Sequence, residues 1–192
     1  MARAGVTPER LTSAAADLAD EIGFQNVTVS ALARGFGVKP AALYAHVKDA
    51  QDLRFRVREL AMGELADRVA AALAGRAGKE ALVAFANAYR DYAKEHPGRY
   101  AATQLELDPE VAATRAAGRH AELARALLRG YGLSEPDQTD AIRLLGGAFH
   151  GYVTLETTGR FATTPRSSDV SWSRALDALD VLLRNWPEPE PL

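Results

Sequence analysis

An all-α fold is what the sequence predicts, on three observations. Strand signals are almost absent over the 192 residues, apolar residues recur at helical spacing, and capping residues, prolines and glycines punctuate the recurrences. Hydrophobic residues make up 47% and charged residues 25% of the chain, as in ordinary globular proteins. No apolar run approaches the roughly 18 residues that span a bilayer, and no signal-peptide pattern opens the chain, so no membrane is expected as a partner. The chain has no cysteine. That excludes disulfides, thiolate metal sites and cysteine catalysis, and fits a reducing cytoplasm.

Each element has its own warrant in the residues. Thr7 can cap a first helix, Pro8 suits its first position, and Leu11, Ala15, Leu18 and Ile22 form an apolar stripe that Gly23 ends. Thr28 can cap a second helix with Val29, Leu32 and Ala33 inward, and Gly37 supplies the left-handed residue of a sharp turn. Pro40 opens a third helix, expected over about Pro40 to Val47 and held to the core by Leu43 and Val47. Asp49 caps a fourth, with Asp52 well placed against its N-terminal dipole. Leu53, Val57, Leu60, Leu65 and Val69 carry that helix to about Ala74. Gly75-Arg76-Ala77-Gly78 then interrupts the periodicity and is the sharpest candidate boundary on the chain.

A helix from about Lys79 to Glu95 is expected to close at His96-Pro97-Gly98. A short helix from roughly Arg99 to Leu105 follows and stops before Asp108-Pro109. A long one runs from about Glu110 to Arg129, ended by Gly130-Tyr131-Gly132, and another from near Pro136 to about Arg160. A polar loop at residues 163–168 leads to a last helix with the stripe Trp172, Leu176, Leu179, Leu183 and Trp186. The tail from Pro187 to Leu192 reads as extended.

Around the turn at Gly37, the side chains left outward are Lys39, Ala41, Ala42, Tyr44, His46 and Lys48. Cations, hydrogen-bonding tips and small groups together suit the DNA major groove. Lys39 is placed for a base edge or a phosphate, and His46 either touches DNA or is solvated. Two roles stay open for Thr28: capping alone, or capping with donation to a phosphate. Charge is distributed to match. Residues 1–58 hold eight basic and six acidic residues, a net of +2, and the remainder carries −4.

With its run Leu43-Tyr44-Ala45-His46-Val47-Lys48 near the start of a helical chain, followed at once by a capped helix, the sequence resembles the TetR family of one-component transcriptional regulators. The resemblance is specific over about residues 8–60 and continues beyond as helix layout. It implies an N-terminal three-helix helix-turn-helix DNA-binding domain, residues 1–52. It also implies a C-terminal helical ligand-binding and dimerisation domain, residues 53–192, with the fourth helix to about residue 74 as connector. Tyr44 and Lys48 are then phosphate contacts, which is sound chemistry: a phenol donates to a phosphate oxygen and an ammonium neutralises it. Relatives commonly carry Ser, Thr or Gly where this chain has Ala41 and Ala42. Alanine packs on a thymine methyl but offers no hydrogen bond, so specificity is expected to lean on Lys39, Tyr44, thymine methyls and DNA shape. Arg54, Arg56 and Arg58 are either solvated or approach the DNA backbone.

One helix-turn-helix covers half a site. The resemblance therefore implies a homodimer on a palindromic double-stranded operator, its recognition helices about 34–36 Å apart. The expected pairing face is the last two long helices, through Leu144, Ala148, Gly151 and Leu155 and the Trp172-to-Trp186 stripe; the alternative is that both stripes bury within one subunit. Phe85, Tyr89, Tyr92, Tyr100, Gln104, Leu123, Leu127, Phe149 and His150 are the candidate lining for a small, largely apolar effector, with core packing the alternative for each aromatic. Phe149-His150-Gly151, with Gly159-Arg160-Phe161, resembles a TetR-type C-terminal domain whose hallmark is Trp-His-Gly; phenylalanine stands here for the tryptophan.

The function so implied is a ligand-responsive DNA-binding regulator, a repressor released from its operator by a small molecule, with no enzymatic activity, cofactor or metal. The alternatives are a ligand-independent DNA-binding regulator and a helical enzyme or metal-binding protein. Against the last, His46, His96, His120 and His150 are scattered, and no His-Glu-x-x-His, nucleophile elbow or phosphate loop occurs.

Overall fold

The computed structural model describes residues 6–106, 115–163 and 165–187, with the backbone alone for 115–117. Among the described residues stand nine α-helices, two 3-10 turns and no strand, as the all-α expectation requires. No described helix is long and apolar enough to cross a membrane. The Asp108-Pro109 stop, the helix start near Glu110 and the tail beyond Pro187 lie outside the described residues. The helices fall into two compact units, Met1–Ala66 with Tyr92–Gly118, and Asp67–Asp91 with Arg119–Leu192. The Gly75–Gly78 break lies inside the second.

In the first unit, α1 (Pro8–Ile22) starts where the Thr7 hydroxyl accepts the Arg10 N–H at 3.3 Å. Leu11, Ala15, Ala16 and Ala19 are buried, whereas Ile22, expected on that stripe, is 41% exposed. It is the last residue of the helix, and Gly23 (φ 86°) turns the chain away directly after it. A 3-10 turn at Phe24–Asn26 leads to α2 (Val29–Phe36), where the Thr28 hydroxyl accepts the Ala31 N–H at 3.1 Å. Gly37 is left-handed at φ 65°, and the Val38 N–H closes on the Ala33 carbonyl at 3.0 Å, the bond that ends a helix tightly.

Then come α3 (Pro40–Leu43) and α4 (Ala50–Leu73), whose Leu53 and Val57 join Leu11, Leu32 and Leu43 in one core. The unit is completed by the end of α5 (Gly78–Glu95) and by α6 (Pro97–Thr103). α6 starts two residues earlier than its periodicity suggests, because Pro97 opens this helix instead of closing the one before. Asp20 of α1 holds that start: its carboxylate accepts the Arg99 N–H at 2.8 Å and lies 3.1 Å from His96 Nδ1.

The second unit combines the end of α4 and most of α5 with α7 (Arg115–Leu128) from Arg119 onward, α8 (Glu135–Thr157) and α9 (Ser168–Arg184). α8 stops short of Arg160 because Gly159 turns left-handed (φ 74°) and the Arg160 N–H folds back on the Leu155 carbonyl at 2.9 Å. α9 starts four residues before Trp172, where the Ser167 hydroxyl accepts the Val170 N–H at 3.3 Å, and it ends before Trp186. Arg90 of α5 is buried and donates to Glu156 of α8, with Nε to Oε2 at 2.7 Å, and to Asp169 of α9 at 2.6 Å. Trp172 Nε1 donates to Asn87 Oδ1 at 2.8 Å, a second tie between α9 and α5.

Candidate nucleic-acid and effector sites

The turn after α3 is built by two buried anchors. Leu43 and Val47 are sealed in the core, which leaves Tyr44 between them 55% exposed. Lys39, Ala41, Ala42 and Lys48 are exposed, and His46 is half-buried. The expected helix from Pro40 to Val47 is corrected here: α3 ends at Leu43, and Tyr44 to His46 form a closing turn. The His46 and Val47 N–H groups both return to the Leu43 carbonyl, at 2.8 and 3.1 Å.

The reason for the early end is the start of α4. Asp52 Oδ2 accepts the Lys48 N–H at 2.9 Å while Asp49 Oδ1 accepts the Asp52 N–H at 2.8 Å, so Lys48 is already committed to the next helix. Arg56 grips the same Asp52 carboxylate through Nε at 3.0 Å and Nη2 at 2.8 Å. That pairing holds the Asp52 carboxyl below the ordinary carboxylate range. Lys48 thus has a fixed backbone and an exposed ammonium.

Thr28 is exposed and its hydroxyl oxygen serves as the cap of α2. The arginines of α4 have partners within the chain. Arg54 lies over the Phe24 ring at 4.7 Å, Arg56 is on Asp52, and the buried Arg58 bonds Glu59 at 2.6 Å. Among the described residues no group of three or more His, Asp or Glu side chains is arranged to hold a metal.

The residues named for an effector divide between the units. Tyr92, Tyr100 and Gln104 belong to the first. Tyr92 is buried with its hydroxyl on Glu64 Oε2 at 2.9 Å, and burial pushes its pKa far up. Tyr100 is buried too, its hydroxyl pushed up to about 12 by desolvation. Gln104 is exposed and its amide donates to the Thr103 hydroxyl at 2.8 Å. In the second unit, Phe85, Tyr89 and Phe149 come together as one ring cluster; on α7 Leu127 is buried and Leu123 half-buried, and His150 is exposed.

Two members of that cluster fall outside the expected lining. Trp172 meets Phe149 edge-on, centroids 5.7 Å apart, and His120 meets Tyr89 edge-on at 5.0 Å. The Tyr89 hydroxyl is paired with His120 Nε2. Burial pushes the His120 imidazole down to about 4, so it is neutral at physiological pH. Its position three and seven residues before Leu123 and Leu127 is the signal that points to it, since those three share one helical stripe.

The large apolar side chains left exposed on α8 and α9 are Leu144, Leu155, Val170, Val181 and Leu182. Trp172, Leu176 and Leu183 of the expected pairing stripe are instead buried inside their own unit.

Two family models match the chain: bacterial regulatory proteins, tetR family, over residues 11–57, and tetracyclin repressor-like, C-terminal domain, over residues 82–179. An uncharacterized HTH-type transcriptional regulator of Mycobacterium tuberculosis, Rv0681, is 38% identical over 161 residues, covering 81% of this chain and 72% of that protein. Another from Bacillus subtilis, YobS, is 29% identical over 153 residues, 80% of each chain. The crystal structure of a TetR variant from Acinetobacter baumannii AYE in complex with minocycline superposes with a TM-score of 0.74 at 20% identity, over 96% of this chain and 100% of that one. That likeness is one of fold.

Proposed function

The chain belongs to the TetR family of DNA-binding transcriptional regulators, and from that premise we propose that it is a homodimeric repressor released from its operator by a small molecule. The observation that carries the DNA-binding face is the turn held by buried Leu43 and Val47, with Tyr44, Lys39 and Lys48 exposed around it. Tyr44 and Lys48 contact phosphates, Lys39 reaches a base edge or phosphate, Ala41 and Ala42 pack on thymine methyls, and His46 and Thr28 flank them. A functional division near residue 52 separates this head from a ligand-binding and dimerisation body.

Dimerisation through α8 and α9 is supported by Leu144, Leu155, Val170, Val181 and Leu182, which stand exposed on those two helices. Two heads then meet successive major grooves of a palindromic operator. The ring cluster of the second unit is the effector site, and it suits a largely apolar ligand. A ligand that favours a spacing of the heads unsuited to the operator lowers DNA affinity by linkage. α4, unbroken from Ala50 to Leu73, is the covalent path between the two functions.

The test is footprinting on the chain's own promoter, followed by a screen for compounds that both raise the melting temperature and release the DNA. A protected palindrome released by such a compound is the expected result. Binding that no stabilising compound relieves points instead to a ligand-independent regulator.

A further inference from the structure

Phe85, Phe149 and Trp172 are buried, whereas Tyr89 and His120 at the edge of the same cluster are only half-buried. The Tyr89–His120 pair is therefore the more exposed edge of the cluster. His120 Nε2 is taken up by the Tyr89 hydroxyl, but His120 Nδ1 is sealed from solvent and has no hydrogen-bond partner among the described residues. A buried polar nitrogen left unpaired is costly, and a ligand atom that pairs it recovers that cost on binding.

Resting on the effector reading above, we infer that His120 is the polar anchor of the site, which takes an uncharged, ring-bearing molecule presenting one acceptor oxygen, an aryl ketone in chemical class. The phenol is the stronger acid of the pair, so its O–H donates to Nε2, the ring proton sits on Nδ1, and Nδ1–H seeks an acceptor. Charge on the ligand is disfavoured from both sides. The cluster suppresses protonation of its own imidazole, so it penalises a cation. An anion finds no spare counter-charge in Arg90, whose guanidinium lies 5.5 Å from the Trp172 ring centroid but is held by Glu156 and Asp169. The rings supply a flat apolar contact, and Nδ1–H is the buried group of the cluster left without a hydrogen-bond partner among the described residues.

Four probes of one ring system separate the possibilities: acetylnaphthalene, ethylnaphthalene, naphthoate and naphthylmethylammonium. Their affinities are measured by calorimetry on the full chain, with the His120 ring nitrogens followed by NMR. Acetylnaphthalene is expected to bind about three- to tenfold more tightly than its apolar match ethylnaphthalene, the worth of one hydrogen bond, and to shift His120 Nδ1. His120→Phe keeps a ring in the cluster and is expected to erase that preference while still binding ethylnaphthalene. Tyr89→Phe, which frees Nε2 and keeps the packing, is expected to weaken the preference and serves if the first variant does not fold. Naphthoate or the ammonium binding most tightly and releasing operator DNA overturns the inference and leaves the effector reading standing. A preference that survives His120→Phe overturns it as well. If none of the four binds the folded protein, the inference falls and the effector reading loses this site.

Discussion

Gly98, in the first turn of α6, lies against the backbone of Ala19 in α1, and a Cβ added there would overlap the Ala19 carbonyl. Both sides of the contact are backbone, so neither can swing aside as a side-chain tip would. Gly98→Ala is therefore expected to cost about 3 kcal/mol or more, the upper end of overpacking. Urea denaturation measures it, and an unchanged midpoint would show that α6 can lift from α1 freely.

Lys48 is expected to act on DNA as a charge. Lys48→Ala should weaken binding to every sequence alike and reduce the slope of log affinity against log salt by about 0.9 for each phosphate that the ammonium neutralises. Fluorescence anisotropy at several salt concentrations reads both quantities. Tyr44→Phe removes a hydroxyl and no charge, so it should lower affinity with the slope intact. An unaltered slope in Lys48→Ala shows that this lysine does not pair with a phosphate.

Asp52 is expected to position Lys48 and to do so as an anion. Asp52→Asn keeps an acceptor for the Lys48 N–H but loses the charge that Arg56 grips, a cost of about 0.5–1 kcal/mol. The folded-state pKa is lowered, so this stability is complete above the ordinary carboxylate range and disappears as pH falls through the depressed value. Denaturation of wild type and variant should show a constant gap at neutral pH that closes in acid. Operator affinity should fall a few-fold with the salt slope unchanged, because Lys48 itself stays charged. A gap that stays open in acid would assign the contribution to something other than the carboxylate charge.

Val181 is 60% exposed and packs little within its own unit. Val181→Asp should therefore leave the monomer's stability within about 0.5 kcal/mol while blocking an apolar seam between two copies. Light scattering should report a monomer, and the operator should be bound weakly. A stable dimer in that variant moves the pairing face away from this part of α9.

Much of the fold is legible in the residues wherever the determining contact is local. Thr7 and Thr28 mark helix starts because a cap bond spans only three residues, Pro40 because its ring presets the first helical φ, and Leu43 and Val47 mark the buried side of the turn because they are neighbours along one segment. Local chemistry also misleads in two places. Pro97 reads as a stop though proline favours a helix's first turn, and the apolar pair Leu43 and Val47 draws α3 past its end at Leu43. The candidate effector site is less legible. His120 and Tyr89 are 31 residues apart, and Arg90 meets Glu156 and Asp169 across 66 and 79 residues. Such pairs depend on which faces of α5, α7, α8 and α9 oppose one another. In alanine-rich helices several rotations satisfy the apolar pattern about equally, so spacing alone does not select the face.

Ala41 and Ala42 stand exposed in the first residues of α3, while the fold of that segment is secured by Leu43, Val47 and Gly37. Under the proposed DNA-binding face, shape and contact are thereby held by different residues. For a protein engineer this makes the two alanines interchangeable parts: glutamine, asparagine or arginine can be installed at either position with little effect on stability. On the proposed base-reading role of these positions, a small library at residues 41 and 42 is expected to yield a set of regulators with one shared body, each addressed to its own promoter.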